Sequence, residues 1–233
     1  MRKKNVLITG GTRGIGLAIK NKLIKKNYNV FYTGTQNKKI KNFLQLDLND
    51  SNSINIFKKK IEKIDIDILI INSGINIIKN FLEFKSSEIM SVVNINFLNN
   101  LEIIQLILKN MIKKKYGRIV LISSIWGEKP AKKRSIYSFT KKSLQFLCKS
   151  ISSEYGHKNI LINSISPGFI ETELTKKSLG LKGIKKLKKR IPLKRLGKPN
   201  EIAELTYFLI NKNSYINGQN IIIDGGFLSA IEL

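Results

Sequence analysis

The chain has 233 residues, 42 of them Lys or Arg against 16 Asp or Glu, for a formal net charge of +26. One cysteine, Cys148, excludes an internal disulfide, and the lone His157 has no partners at metal-ligand spacing, so no metal is expected. Only six of the 42 cations are Arg, whereas base readout favours Arg forks, so weak salt-sensitive adsorption to polyanions is expected rather than a specific nucleic-acid partner.

In chain order, the basic start Met1-Arg2-Lys3-Lys4 leads into an apolar run that stops at Thr9-Gly10. It is too short for a signal-peptide core or a membrane span, and a soluble protein of the cytoplasm or an equivalent reducing compartment is expected. Asn5 to Thr9 reads as a short buried strand, and Gly10-Gly11-Thr12-Arg13-Gly14-Ile15-Gly16 then opens a helix over 14–26. Such a turn lets backbone N–H groups and the positive helix end approach a pyrophosphate. Its Gly-x3-Gly-x-Gly spacing differs from the general G-x-G-x-x-G fingerprint. A second strand, Asn29 to Thr33, ends in Gly34-Thr35-Gln36, where NAD-preferring sites carry a carboxylate; none occurs here before Asp47.

Further strands are predicted at Phe43 to Leu46, Ile68 to Ile71, Arg118 to Ser123, Leu161 to Ser166 and Asn220 to Ile223. Helices are predicted near 51–63, 95–114, 135–157 and 199–211. Strand and helix signals alternate throughout, which predicts one α/β domain over 1–233 with a parallel sheet covered on both faces. The lysine-rich stretch Leu174 to Arg195 interrupts the pattern and carries Gly180 and Gly183 as hinges. Tyr137 and Lys141 lie four apart on one helix face, so the ammonium is placed to favour the ionised phenol.

Thr9-Gly10-x3-Gly14-Ile15-Gly16, Asn72-Ser73-Gly74, Asn96, Ser124, Tyr137-x3-Lys141 and Pro167-Gly168 resemble, in order and spacing, the motifs of the short-chain dehydrogenases/reductases, from about residue 5 to Gly226. Within that family, Gly117-Arg118-Ile119, the stretch Ser166 to Glu173 and the stretch Ile191 to Gly197 are similar to segments of the 3-oxoacyl-[acyl-carrier-protein] reductases. The resemblance implies a Rossmann-type doubly wound sheet that binds NADP(H). The implied cofactor residues are Gly10, Thr12, Arg13, Gly14, Ile15, Gly16, Thr35, Asp47, Leu48, Asn72, Gly74, Tyr137, Lys141, Pro167, Gly168, Ile170 and Thr172. Arg13 and Thr35 would meet the 2′-phosphate, Asp47 and Leu48 would flank adenine, and Ile170 and Thr172 would meet the carboxamide.

The implied catalytic set is Asn96, Ser124, Tyr137 and Lys141. Ser124 and Tyr137 aim donors at the carbonyl oxygen, Tyr137 releases a proton, Lys141 holds ribose hydroxyls, and Asn96 holds a water. Two departures from the family motif, Ile71 for Asn and Ser73 for Ala, put a polar contact in doubt. The lid would be the segment 174–195, closing over substrate. The implied partner is an acyl carrier protein meeting Lys115 and Lys158, and the implied assembly is a homotetramer. Its contacts would lie on the helices 95–114 and 135–157 and on the C-terminal strand; Ile103, Ile104, Leu106, Ile107, Leu144, Phe146, Leu147 and Ile151 leave few polar positions on those helices, which is equally the pattern of a buried core helix. The same framework fits a keto-sugar, polyol or other small carbonyl substrate and, remotely, a non-catalytic nucleotide- or nucleic-acid-binding protein.

Overall fold

Seven strands form one sheet in the computed structural model, which describes residues 2–229, the side chains of residues 174 and 178 aside. The strands are β1 (Asn5–Ile8), β2 (Asn29–Gly34), β3 (Phe43–Gln45), β4 (Ile68–Ile71), β5 (Gly117–Ile122), β6 (Ile160–Pro167) and β7 (Asn220–Ile223). They run parallel in the order β3-β2-β1-β4-β5-β6-β7. Parallel neighbours need crossovers, and the intervening helices therefore cover both faces of the sheet. The helices are α1 (Gly14–Lys25), α2 (Ser51–Ile61), α3 (Ser86–Val93), α4 (Asn99–Lys113), α5 (Ser135–Tyr155), α6 (Glu173–Arg190) and α7 (Pro199–Asn211). Residue 1 and residues 230–233 of the expected domain lie outside the described residues.

Alternate strand residues serve opposite layers. Leu7, Leu69, Leu121 and Ile162 pack with Phe57 of α2, Ile107 of α4 and Leu144 of α5. Val6, Ile68, Val120 and Ile165 pack with Ile19 of α1 and Ile202 of α7. Burying each such side chain contributes about 1.5–3 kcal/mol before entropy is counted. The connections after β1 and β4 leave in opposite directions, and the crevice at those carboxyl ends is where a doubly wound sheet binds ligands.

Three features depart from the sequence pattern. The helix expected from residue 95 begins at Ser86, because the Glu88 side chain accepts a bond from the Lys85 backbone N–H (3.0 Å) and closes the first turn. It then passes through a π-helical turn, Asn94–Leu98, before α4. The whole run Ser86–Lys113 is long and apolar enough to cross a membrane by length and composition, but the apolar stripe of α4 is packed into the core.

The segment 174–195, expected as the lid, is mostly helical. It forms α6, broken at Gly180 (φ 60°, ψ 175°), and Leu187, Ile191 and Leu196 seat it against Phe169 and Phe227. Of the apolar residues proposed for subunit contacts, Ile103, Ile104, Ile107, Leu144 and Ile151 belong to the core instead, Leu106 and Leu147 pack partly against it, and Phe146 alone is largely exposed, at 70%. The reason is that α4 and α5 lie directly on the sheet. Cys148 is fully buried, and burial pushes its thiol up to about 12, leaving it a packing residue.

Candidate active site

The site begins where β1 runs out. Gly10 (φ 66°) and Gly14 (φ 55°) occupy the left-handed region that disfavours a side chain. Gly16, in the first turn of α1, has no room for one: a Cβ there would lie 2.2 Å from the Gly10 carbonyl oxygen and 2.6 Å from Asn72 Nδ2. No side chain caps α1, and its first turn holds no carboxylate, so its N–H groups are open to an anion. Replacement of Gly16 by Ala is therefore expected to displace the turn, destabilise the protein by about 1–3 kcal/mol and weaken dinucleotide binding. Urea unfolding and a fluorescence titration with NADPH would measure both effects; unaltered binding would show that the turn tolerates a methyl group.

The turn after β4 is fastened to the turn after β1. Thr9 Oγ1 accepts bonds from the backbone N–H groups of Asn72 (3.0 Å) and Ser73 (3.1 Å) and from the Ser73 hydroxyl (2.9 Å). The Asn72 amide donates to the carbonyls of Gly10 (2.9 Å) and Thr9 (3.2 Å). The departures at Ile71 and Ser73 thus leave the junction fully bonded: Ile71 is core, and the Ser73 hydroxyl adds a contact.

At the outer edge, a Cβ on Gly34 would lie 2.6 Å from Thr12 Cγ2, so the end of β2 abuts the glycine turn. That brings the exposed Arg13 and Thr35 to one rim, and the sequence carries no carboxylate between Arg13 and Asp47. Asp47 builds a local turn, its Oδ1 accepting from Asn49 N (2.8 Å). The Leu48 side chain is in the core, and its carbonyl accepts from the Asn99 amide (2.7 Å).

The chemistry-bearing face belongs to α5. Lys141 is 4% exposed; its Nζ donates to the Ile122 carbonyl (2.9 Å) and lies 5.7 Å from the centroid of the Tyr137 ring. Burial lowers the Lys141 pKa to about 8. The ammonium has three donors, and one is used among the described residues, so two remain for a ligand. Ser124 follows β5 and caps the short turn Ile125–Gly127, its Oγ accepting from Trp126 N (3.2 Å).

Burial raises the Tyr137 phenol above its ordinary value, and the Ser124 hydroxyl and then the Arg134 guanidinium oppose that rise. This corrects the expectation that Lys141 would favour the ionised phenol. Desolvation outweighs the neighbouring charges, with the Arg134 guanidinium acting on the phenol and the Lys141 ammonium over the ring. Lys141 is itself buried and engaged with the strand carbonyl.

Asn96 sits in the π-helical turn, a frequent device at functional sites. Its Oδ1 accepts from Ile75 N (2.7 Å), while its Nδ2 donates to the Ile75 carbonyl (2.9 Å) and to Thr140 Oγ1 (3.1 Å). The amide therefore clamps the segment after Gly74 onto α5. A Cβ on Gly74 would lie 3.2 Å from Asn96 Oδ1 and 3.4 Å from Lys141 Nζ, so these groups border one cradle that only a glycine leaves open.

Pro167 ends β6, and the loop beyond it leans over the glycine turn: the Thr172 methyl lies 3.4 Å from the Cβ position of Gly14. Thr172 Oγ1 also caps α6, accepting from Thr175 N (3.2 Å). Gly168 packs against Asp224, and Ile170 is buried beside α7.

The sequence reading missed Arg134 and a trio of rings, Trp126, Phe169 and Phe227, packed edge to face at 5.1–6.1 Å. Arg134 lies three residues before Tyr137, a spacing that would have found it; the rings come from three distant segments and have no local signal.

A parallel sheet in this order, with a glycine turn after its first strand and an open polar cradle beside it, defines a dinucleotide-binding oxidoreductase. The chain belongs to the short chain dehydrogenase family, whose sequence model matches residues 4–180. It is 38% identical over 239 residues to the 3-oxoacyl-[acyl-carrier-protein] reductase FabG of Buchnera aphidicola subsp. Schizaphis graminum, covering 97% of this chain and 98% of the relative. Carbonyl reductase family member 4 of Xenopus laevis is 34% identical, covering 94% and 95%. A structure of ElxO with NADP bound superposes with a TM-score of 0.89 at 33% identity, covering 98% of this chain and all of that one.

Proposed function

We propose that this single-domain protein reduces a 3-oxoacyl thioester on an acyl carrier protein to the 3-hydroxyacyl form, a step of fatty-acid synthesis, with NADPH as reductant. The observation that supports the reading most is the Lys141 ammonium at the Gly74 cradle, 5.7 Å from the centroid of a Tyr137 ring on which Ser124 also acts, in a chain similar over nearly its full length to reductases of that name.

Bound NADPH supplies the hydride. Tyr137 donates its proton to the carbonyl oxygen, and the Ser124 hydroxyl donates a hydrogen bond to the same oxygen as negative charge grows there. Lys141 holds the nicotinamide ribose with its two unused donors, and Asn96 keeps Gly74 and α5 in register. Gly10, Gly14 and Gly16 take the pyrophosphate, with Ile15 and Asn72 lining the turn. Arg13, Thr12 and Thr35 take the 2′-phosphate, because a cation stands at that rim and the sequence carries no carboxylate between Arg13 and Asp47. Asp47 and Leu48 border adenine through their backbone, and Pro167, Gly168, Ile170 and Thr172 border the nicotinamide.

Lys115 and Lys158 offer the acidic carrier one basic patch, since Asn159, next to Lys158, donates to the Lys115 carbonyl (3.1 Å). A tetramer forms through the exposed face of α5, where Phe139 is 59% and Phe146 70% exposed, and through β7. Likeness to a carbonyl reductase supports a second reading, a small free ketone as substrate. Acetoacetyl thioesters tested with NADPH and with NADH decide the matter. Oxidation of NADPH well ahead of NADH is expected, and no oxidation of either rejects this substrate class.

A further inference from the structure

Arg134 opens α5, and its backbone carbonyl accepts from Ser138 N (2.8 Å). Arg134 caps the head of α5 with a non-helical backbone (φ −130°, ψ 22°), three residues before Tyr137, and its guanidinium is near enough to act on the phenol. It is half-buried, yet among the described residues it has no hydrogen bond, ion pair or ring contact. Five donors taken partly out of water and left unpaired are costly, and such a group in a native site is explained by a partner that arrives.

The surrounding wall is short of partners too. Ser135 Oγ and Ser138 Oγ on α5 and Asn76 Oδ1 are buried and unpaired. Asn76 belongs to the segment that leaves Gly74 and reaches the start of α5, where Lys79 N donates to the Lys133 carbonyl (3.0 Å). The head of α5 and the segment after Gly74 therefore hold buried polar atoms with no partner among the described residues. Burial holds the guanidinium below its ordinary value, and an arginine side chain keeps its charge in proteins.

We infer that Arg134 is a specificity-determining residue that binds a second acceptor oxygen of the substrate, a carbonyl or carboxylate one methylene removed from the carbonyl being reduced. The inference rests on the reductase reading and sharpens it: a β-dicarbonyl compound offers one oxygen to Tyr137 and Ser124 and the other to Arg134. A simple ketone offers only the first. The thioester of a 3-oxoacyl group and the carboxylate of a free 3-oxo acid share this chemistry, and the test separates them.

The intact protein and its Arg134→Gln and Arg134→Lys variants are assayed with NADPH on the acetoacetyl thioester of N-acetylcysteamine, on acetoacetate and on butanone, with melting temperatures alongside. For Arg134→Gln, the KM for the thioester is expected to rise about tenfold or more, as for loss of a charged hydrogen bond. Its kcat should change much less, and the fall in kcat/KM should exceed that on butanone by at least the same factor. Arg134→Lys should recover part of the loss. Equal losses on all three compounds, or an unchanged KM, overturn the inference. If acetoacetate alone is reduced, and Arg134→Gln loses it, Arg134 keeps its role and the thioester reading fails. If neither β-dicarbonyl compound is reduced, both fall.

Discussion

Replacing Tyr137 by Phe is expected to abolish carbonyl reduction while NADPH still binds. The phenol is the acid in the proposed step, and positioned general acids contribute on the order of 10²–10⁴ in rate. Burial holds the phenol above its ordinary value, so it is protonated throughout the neutral range and ready to donate. The Lys141 ammonium lies 5.7 Å from the ring centroid and is kept in this variant, so a cofactor titration separates binding from chemistry. Turnover in Tyr137→Phe within tenfold of the parent would remove Tyr137 as the acid, whatever the fate of cofactor binding.

Lys141 carries the second large effect, in two readouts. Lys141→Ala should lower both NADPH affinity and kcat, since it deletes the ammonium that borders the Gly74 cradle. The pH dependence follows from burial, which sets the folded pKa at about 8 against an ordinary 10.5. Between those values the unfolded chain binds the proton and the folded chain does not, so stability rises with pH through that window. Below about 8 both states are protonated, and the whole cost of the buried charge, about 3 kcal/mol for a shift of this size, is present.

Lys141→Met keeps the bulk and removes the charge. It should therefore be more stable than the parent at pH 7, with the difference shrinking as pH approaches 10.5. Urea unfolding of both proteins between pH 7 and 10 measures this. Parallel curves would mean that the ammonium is better solvated than its 4% exposure indicates.

The polar junction between Thr9, Asn72 and Ser73 explains why the family motif survives substitution here. A motif written as Asn-Asn-Ala-Gly invites the view that Ile71 and Ser73 weaken it. Yet Ile71 faces the core between sheet and helices, and Ser73 hydrogen-bonds the same threonine that anchors the glycine turn. The junction tolerates exchange because two backbone N–H groups, which every residue type except proline carries, supply two of its five bonds.

Short-range order was legible in the residues themselves. The strands match within one or two positions because each is a brief β-branched run between turn signals, and the glycine turn because positive φ and a crowded Gly16 are local demands. Tyr137 and Lys141 were readable for the same reason: a spacing of four is one turn of one helix. The break at Gly180 was half legible, as a hinge though not as a join between two helical pieces.

Tertiary structure decided what proximity in sequence cannot carry. It consumed the Asn96 amide on Ile75 and Thr140, buried the apolar faces of α4 and α5 in the core, and assembled Trp126, Phe169 and Phe227 into one wall. It also reversed the expected direction for the Tyr137 phenol and left the Arg134 guanidinium half out of water with no hydrogen bond or ion pair among the described residues. These outcomes share one cause. Backbone conformation is set by neighbours a few residues apart, whereas desolvation and the pairing of polar groups depend on segments that meet only when the sheet closes.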